Sequence, residues 1–359
     1  MKILNEDAFK GTHNGKPTAL YTLKNGNGLV VQITNFGAKI VSIFVPDRNG
    51  NFDDIVLGYE SIEGYIKGNP YFGAICGRYA NRIANGKFVI DGITYQLPVN
   101  NGPNSLHGGP DGFNNQVFDA KGVVPSKNGE KVEMVYSSRD GEMGYPGTLT
   151  FKVIYTLTEN NELRLDYEAA TDKATHVNIA SHSFFNLTGE GKGDILNHML
   201  FINADKFTPV SNVLIPSGEL KSVEGTPMDF RKSEIIGTRI EDKYDQLDFG
   251  KGYDHNWVIN REISGALVLA AECYDPISKR IMEVHTSQPG MQLYTGNWLD
   301  GSDKGKGGKP YGIRSALCLE TQNFPDSPNK PGFPSTLLRP GELYNQTCMY
   351  KFSENKLNY

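Results

Sequence analysis

The 359-residue chain holds only four cysteines, Cys76, Cys273, Cys318 and Cys348, far apart in sequence. No CxxC pair and no Cys/His spacing of a zinc site occurs, so no zinc module is expected. No apolar run reaches 18 residues, which excludes a membrane-spanning helix. The opening stretch, MKILNEDAFKGTHNGK, lacks the apolar core of a signal peptide. Together with scattered thiols this leads to the expectation of a cytoplasmic protein, with a removed leader as the alternative. Positive charge is not in surplus: 36 Lys and Arg face 41 Asp and Glu, a formal net charge of −5. That balance has no basic footprint, so nucleic acid is not an expected partner. Phosphate-loop and dinucleotide fingerprints are also missing.

Glycine is abundant, with 40 residues, beside 19 Pro, 18 Tyr and 18 Phe. Gly and Pro break helix interiors, whereas Tyr and Phe suit pleated strands, so a helical bundle is disfavoured. A 38% hydrophobic content supports a sizeable core and argues against disorder. Period-two alternation recurs along the whole chain. Leu29, Val31 and Ile33 face one way, and Val132, Met134 and Tyr136 repeat the pattern. Leu149, Phe151, Val153, Tyr155 and Leu157 continue, after a polar turn, as Leu163, Leu165 and Tyr167. This reads as a long antiparallel hairpin with one buried face. Asp91-Gly92 separates two further strands and suits a type I′ turn. Another pair spans 266–274 and 281–285. Helical signals are confined to 61–67 and 233–240, each opened by a serine able to cap the first amides. Loops are expected at 121–131, 188–193, 300–309 and 323–335. No linker is evident, so residues 1–359 read as one large all-β domain, built as two packed sheets or a barrel.

Five polar clusters lie between these strands. In RYANRIANGKF, residues 78–88, Arg78, Asn81 and Arg82 are potential donors to ligand hydroxyls. Spacing alone favours a loop whose arginines are solvated or paired. In NNGPNSLHGG, residues 100–109, His107 precedes two glycines that permit close approach of backbone or ligand. In HVNIASHSFFNLTG, residues 176–189, strand spacing would put Asn178, His182 and Asn186 on one face, to be satisfied by backbone or by a substrate. In YDHNW, Asp254 and His255 face opposite sides of a strand. A metal held by Asp254, His255 and His285 lacks ligand spacing on one face, and none is expected. Finally, Glu320 ends the apolar run Ala316-Leu317-Cys318-Leu319. A carboxylate delivered by a buried strand is costly unless partnered or used, and desolvation raises its pKa toward the range of a general base. Gln288, Tyr294 and Trp298 precede it, and aromatic faces suit the C–H faces of sugar rings.

In order and content these segments resemble the aldose 1-epimerase (galactose mutarotase) family: NRIANGKF, NSLHGG, NxxxHSFFNL, YDHN, QPGMQLYTGN and LCLETQNFPD. The resemblance covers nearly the whole chain, from residue 35 to residue 344. It implies a large antiparallel β-sandwich, or supersandwich, with an open sugar cleft. It also implies interconversion of the α and β anomers of free aldohexoses such as galactose and glucose. Carried over by motif, Glu320 is the general base and His182 the general acid. Arg82 and His107 contact the sugar, Asp254 anchors hydroxyls, and Asn81 and Gln288 belong to the pocket wall. Ala180-Ser181 stands where the family often has Thr-Asn. No cofactor or metal is implied, the partner is a small sugar, and a monomer or homodimer is expected. A carbohydrate-binding module, an enzyme of hexose 6-phosphates and a glycoside hydrolase are the rival readings.

Overall fold

The computed structural model describes residues 1–69 and 71–354. Its largest element follows from the alternation around Leu149–Thr158, where every second side chain is buried. Glu162–Thr171 returns beside it, so that Leu149 pairs with Thr171 and Leu157 with Leu163. Gly129–Ser138 and Tyr344–Ser353 flank this hairpin. The sheet continues through Ile281–Thr286, Val268–Tyr274 and Met199–Ile202 to Glu234–Ile235, while Asp119–Ser126 closes the other end. All nine strands are antiparallel to their neighbours.

A second layer covers the apolar face. It contains a five-stranded sheet in the order Lys221–Ser222, Lys206–Thr208, Asp254–Val258, Gly290–Tyr294 and Cys318–Gln322. It also contains a four-stranded sheet from Leu20–Lys24 to Phe52–Asp54. The short pair Ala74–Cys76 and Ala180–His182 lies between these sheets, and Phe185 bridges to both Val56 and Leu317. Phe151, Tyr167 and Tyr350 from the first layer share one core with Ile33, Phe185, Trp257, Leu293 and Leu319 from the second. The architecture is therefore an all-β sandwich of large antiparallel sheets, which resolves the choice between sandwich and barrel.

Alternation in the five-stranded sheet decides where chemistry sits. Trp257, Met291, Leu293 and Leu319 point into the core. Their neighbours Asp254, Asn256, Gln292, Tyr294, Glu320 and Gln322 point to the opposite face, and pairing sets Asn256, Gln292 and Glu320 side by side. A polar row thus crosses the outer face of a sheet whose inner face is mainly apolar, with His255 and Thr321 as its buried polar members.

Several local expectations hold. Asp91 and Gly92 have φ of 49° and 79° and join Lys87–Ile90 to Ile93–Gln96. The Ser61 hydroxyl accepts from the Gly64 amide at 3.3 Å and opens the helix Ile62–Lys67. Others fail for physical reasons. Residues 233–240 are not a helix, because Glu234–Ile235 completes the sheet edge against Met199 and Leu200. Only Ile236–Thr238 forms a 3-10 turn. The stretch 121–131 is not a loop but most of a hairpin, whose polar sequence reflects an edge strand with little burial. The helix Asp245–Gly250 carries no cap signal that sequence reading recognised. Asn178, His182 and Asn186 do not share a face. The strand there is only Ala180–His182, and both asparagines bind backbone. No helix among the described residues is long and apolar enough to cross a membrane.

Burial also shapes the response to acid. Desolvation lowers the pKa of His176 and His198 from 6.5 to about 4, and that of His255 to about 3. The unfolded chain therefore binds protons that the folded chain refuses, and stability falls as pH drops from 6.5 toward 4. The thermal midpoint is expected to decline steadily across that window. His198→Asn, whose side-chain oxygen replaces the Nε2 that accepts the Leu187 amide at 3.0 Å, should flatten the slope. A midpoint independent of pH between 6.5 and 4 contradicts this.

Candidate active site

Glu320 lies mid-strand on the polar outer face and is only 2% exposed. Its Oε1 is 3.6 Å from His182 Nε2, and its Oε2 has no hydrogen-bond partner. Burial pushes its pKa well above the usual carboxylate range. Asp254 adds to that shift, and the Arg82 guanidinium opposes it. His182 ends the strand Ala180–His182. Its ring stacks on Phe184 at 4.9 Å and on Tyr71 at 5.8 Å, and His107 meets it edge-on at 5.0 Å. This aromatic box strips water from the imidazole and pulls its pKa down to about 4.

His107 is fixed from the other side. The Asn81 amide donates to His107 Nδ1 at 3.1 Å, and the His107 amide donates to the Asn81 carbonyl at 3.0 Å. The neutral ring therefore carries its proton on Nε2. Burial, His182 and Arg82 together hold its pKa well below the ordinary histidine value. The Asn81 side chain turns back to accept from the Arg82 amide at 2.9 Å. Arg82 Nε donates to Asn101 at 3.0 Å, and its Nη2 lies 3.6 Å from Asp254 Oδ2. Gln292 Nε2 donates to Asp254 Oδ1 at 2.7 Å.

A cavity of about 520 Å³ unites these groups, within the ordinary size of a small-molecule site. Asn81, Arg82, His107, His182, Asp254 and Glu320 all line it, as do Tyr294 and Trp298. Gln288 does not. It precedes the strand Gly290–Tyr294 and lines a separate groove with Arg261, Asn323 and Tyr344. The glutamine in contact with a lining residue is Gln292, which stands opposite Glu320 in register and holds Asp254 from behind. Arg78 is also elsewhere. Its buried guanidinium donates to the carbonyls of Pro146 and Gly147 and to the Ser138 hydroxyl. Tyr71 was invisible to sequence reading because it meets His182 only through the fold.

The trio Asp254, His255 and His285 is not assembled, since His285 pairs with Glu283 at 2.9 Å. Among the described residues the metal-type atoms that do converge are those of His107, His182 and Glu320, all within 4.8 Å. Their surroundings suit proton handling better than ligation. A metal-binding histidine donates its second N–H outward, whereas His107 accepts there.

Gly108 makes the histidine turn feasible. It has φ of 88°, and a Cβ there would overlap the Gly77 carbonyl. Gly108→Ala is expected to cost about 1–3 kcal/mol in chemical denaturation, and an unchanged midpoint contradicts this packing.

The family model for aldose 1-epimerases matches residues 19–351. The chain is 46% identical to a galactose mutarotase of Bos taurus, over 90% of this chain and 91% of that protein. It is 39% identical to an aldose 1-epimerase of Escherichia coli, over 94% of this chain and 96% of that protein. A solved aldose epimerase homologue from C. elegans superposes with a TM-score of 0.85 at 30% identity, covering 94% of this chain and 99% of its own. Motif order, sandwich architecture and these matches agree, and the chain belongs to the aldose 1-epimerase family.

Proposed function

We propose that the cavity interconverts the α and β anomers of free aldohexoses such as galactose and glucose, with Glu320 as general base and His182 as general acid. Family membership supports the reaction class. The observation that carries the residue roles is the pairing of one buried carboxylate with one buried imidazole at 3.6 Å. Opening a cyclic aldose requires a proton to leave the C1 hydroxyl and another to reach the ring oxygen. C1 and the ring oxygen are bonded neighbours, so acceptor and donor must stand side by side. Glu320 takes the first proton and His182 delivers the second. The C1–C2 bond of the open aldehyde rotates, and the ring recloses on the other carbonyl face with the roles reversed. Hemiacetal and open aldehyde share one oxidation level at C1, so the chemistry needs no redox cofactor.

Burial opposes a charge on either group alone. Burial raises the pKa of Glu320 and lowers that of His182, so neither charge is favoured alone and the pair is suited to sharing one proton. The working ion pair of carboxylate and imidazolium has the same proton count, so bound sugar shifts the proton without exchange with solvent. His107 offers a fixed Nε2 donor to a sugar oxygen. Arg82 donates to hydroxyls and Asp254, held by Gln292, accepts from them.

Arg82 is the only Arg or Lys lining the cavity among the described residues, and it stands beside Asp254. A phosphate dianion would meet one cation and an adjacent carboxylate, which favours free sugars over hexose 6-phosphates. The residues that line the cavity run from Asn69 to Glu320, which fits one domain acting as a monomer or homodimer. Four buried free thiols fit the reducing cytoplasm.

Glu320→Gln should lower turnover by roughly 10² or more while sugar still binds. Near wild-type polarimetric mutarotation of α-glucose in that variant would remove the assignment. His182→Asn should fall comparably, and a larger loss from His107→Asn would exchange the two histidine roles. The pH profile should be a broad bell. The acid limb lies near pH 4, where His182 gains a second proton for the pair. The alkaline limb lies well above the carboxylate range, where the shared proton leaves. A limb between pH 4.5 and 6.5 with full activity only above it contradicts the one-proton pair.

A further inference from the structure

A second groove, of about 490 Å³, lies at the ends of the strands that carry Gln292 and Glu320. Gln288 and Pro289 lead into Gly290–Tyr294, and Asn323 directly follows Cys318–Gln322. The groove is nearly as large as the catalytic cavity and shares none of its lining residues. It holds polar groups that the fold itself does not use. Gln288 is only 7% exposed, yet only its backbone is engaged. Its amide donates to Thr286 Oγ1 at 3.0 Å, and its carbonyl accepts from Arg261 Nη2. The carboxamide forms no hydrogen bond and lines the groove, where it can donate to and accept from a ligand. Arg261 is fixed beside it. Nη1 donates to the carbonyls of Ala266 (3.2 Å) and Ser287 (2.8 Å), and Nη2 to that of Gln288. Carbonyls carry no net charge, so the guanidinium is oriented without being neutralised. Its Nε has no partner. Glu342 also lines the groove, but its carboxylate accepts from the Arg339 amide at 2.8 Å. Burial is what lowers the pKa of Arg261, and no carboxylate among the described residues pairs with it.

The kinds of groups present define the ligand. Nε and Nη2 share the guanidinium edge that a carboxylate binds through two parallel hydrogen bonds. One unpaired cation matches one negative charge, which favours a carboxylate over a phosphate dianion. Around it stand groups suited to hydroxyls. Beside the Gln288 carboxamide, Asn323 accepts from the Phe324 amide at 2.9 Å through Oδ1 and keeps its Nδ2 donors. Ser335 Oγ accepts from the Leu337 amide at 3.2 Å and keeps its proton to donate. Tyr344 and Leu337 supply apolar surface for C–H groups. We propose that this groove is a binding site, separate from the catalytic cavity, for a small polyhydroxylated monocarboxylate of the sugar-acid class. The carboxylate lies on Arg261 and the neighbouring hydroxyls on Gln288.

Isothermal titration of the full chain with gluconate tests this. One molecule should bind per chain, with a Kd of about 5 mM or tighter. Saturating galactose should leave the isotherm unchanged, because the two cavities share no residue. Glucitol, which lacks the carboxylate, and acetate, which lacks the hydroxyls, should each bind at least about tenfold more weakly. Arg261→Gln should weaken gluconate about tenfold or more, and Gln288→Ala about threefold to tenfold. Each variant is scored on protein with a cooperative ligand-free thermal transition, and Gln288→Ala decides alone if Arg261→Gln does not fold. No detectable gluconate binding overturns the site, as do displacement by galactose and an affinity unchanged in the folded variants. Glucose 6-phosphate binding more tightly than gluconate overturns the monocarboxylate assignment.

Discussion

A single carboxylate held away from water sets the terms for the rest of this structure. Glu320 is buried on the polar face of a strand, one oxygen 3.6 Å from His182 and the other without a partner. An isolated charge in such a place is expensive, and the group answers by raising its pKa. His182, boxed by Phe184, Tyr71 and His107, answers in the opposite direction. Neither residue is ionised cheaply alone, and the two are close enough to share a proton. The site is poised because its burial is symmetrical with respect to acid and base.

Placing that pair demands a rigid platform, and the sandwich supplies one. Strands Asp254–Val258, Gly290–Tyr294 and Cys318–Gln322 hold Asp254, Gln292 and Glu320 on one face by register alone. Their other face is locked against the nine-stranded sheet through Trp257, Leu293 and Leu319. The opposite wall comes from turns, where Asn81 and His107 exchange hydrogen bonds and Gly108 lets the two turns touch. A loop-borne histidine is thereby fixed in tautomer and orientation nearly as firmly as a strand-borne one.

Much of this was legible in the sequence because it depends on local rules. The alternation in Leu149–Thr158 and Glu162–Thr171 states its own buried face, and Asp91-Gly92 states its own turn. Glu320 was visible because a charge at the end of an apolar run conflicts with its surroundings. What depends on pairing was not visible. Gln288 opens QPG and Gln292 follows it, and only the register opposite Glu320 separates the glutamine that holds Asp254 from its neighbour. Arg78 and Arg82 lie four apart, yet one braces carbonyls and the other faces Asp254. The stretch 233–240 carries a cap signal that loses to sheet-edge pairing, and 121–131 is polar because it borders an edge.

Catalysis in this cavity therefore turns on where one proton resides. Difference infrared spectroscopy at neutral pH, comparing the wild-type enzyme with Glu320→Gln, reads it directly. The account predicts a protonated-carboxyl band in the sugar-free enzyme that is absent from the variant and that diminishes when sugar binds. A wild-type spectrum with only ionised carboxylate at neutral pH, with or without sugar, contradicts the shared-proton pair.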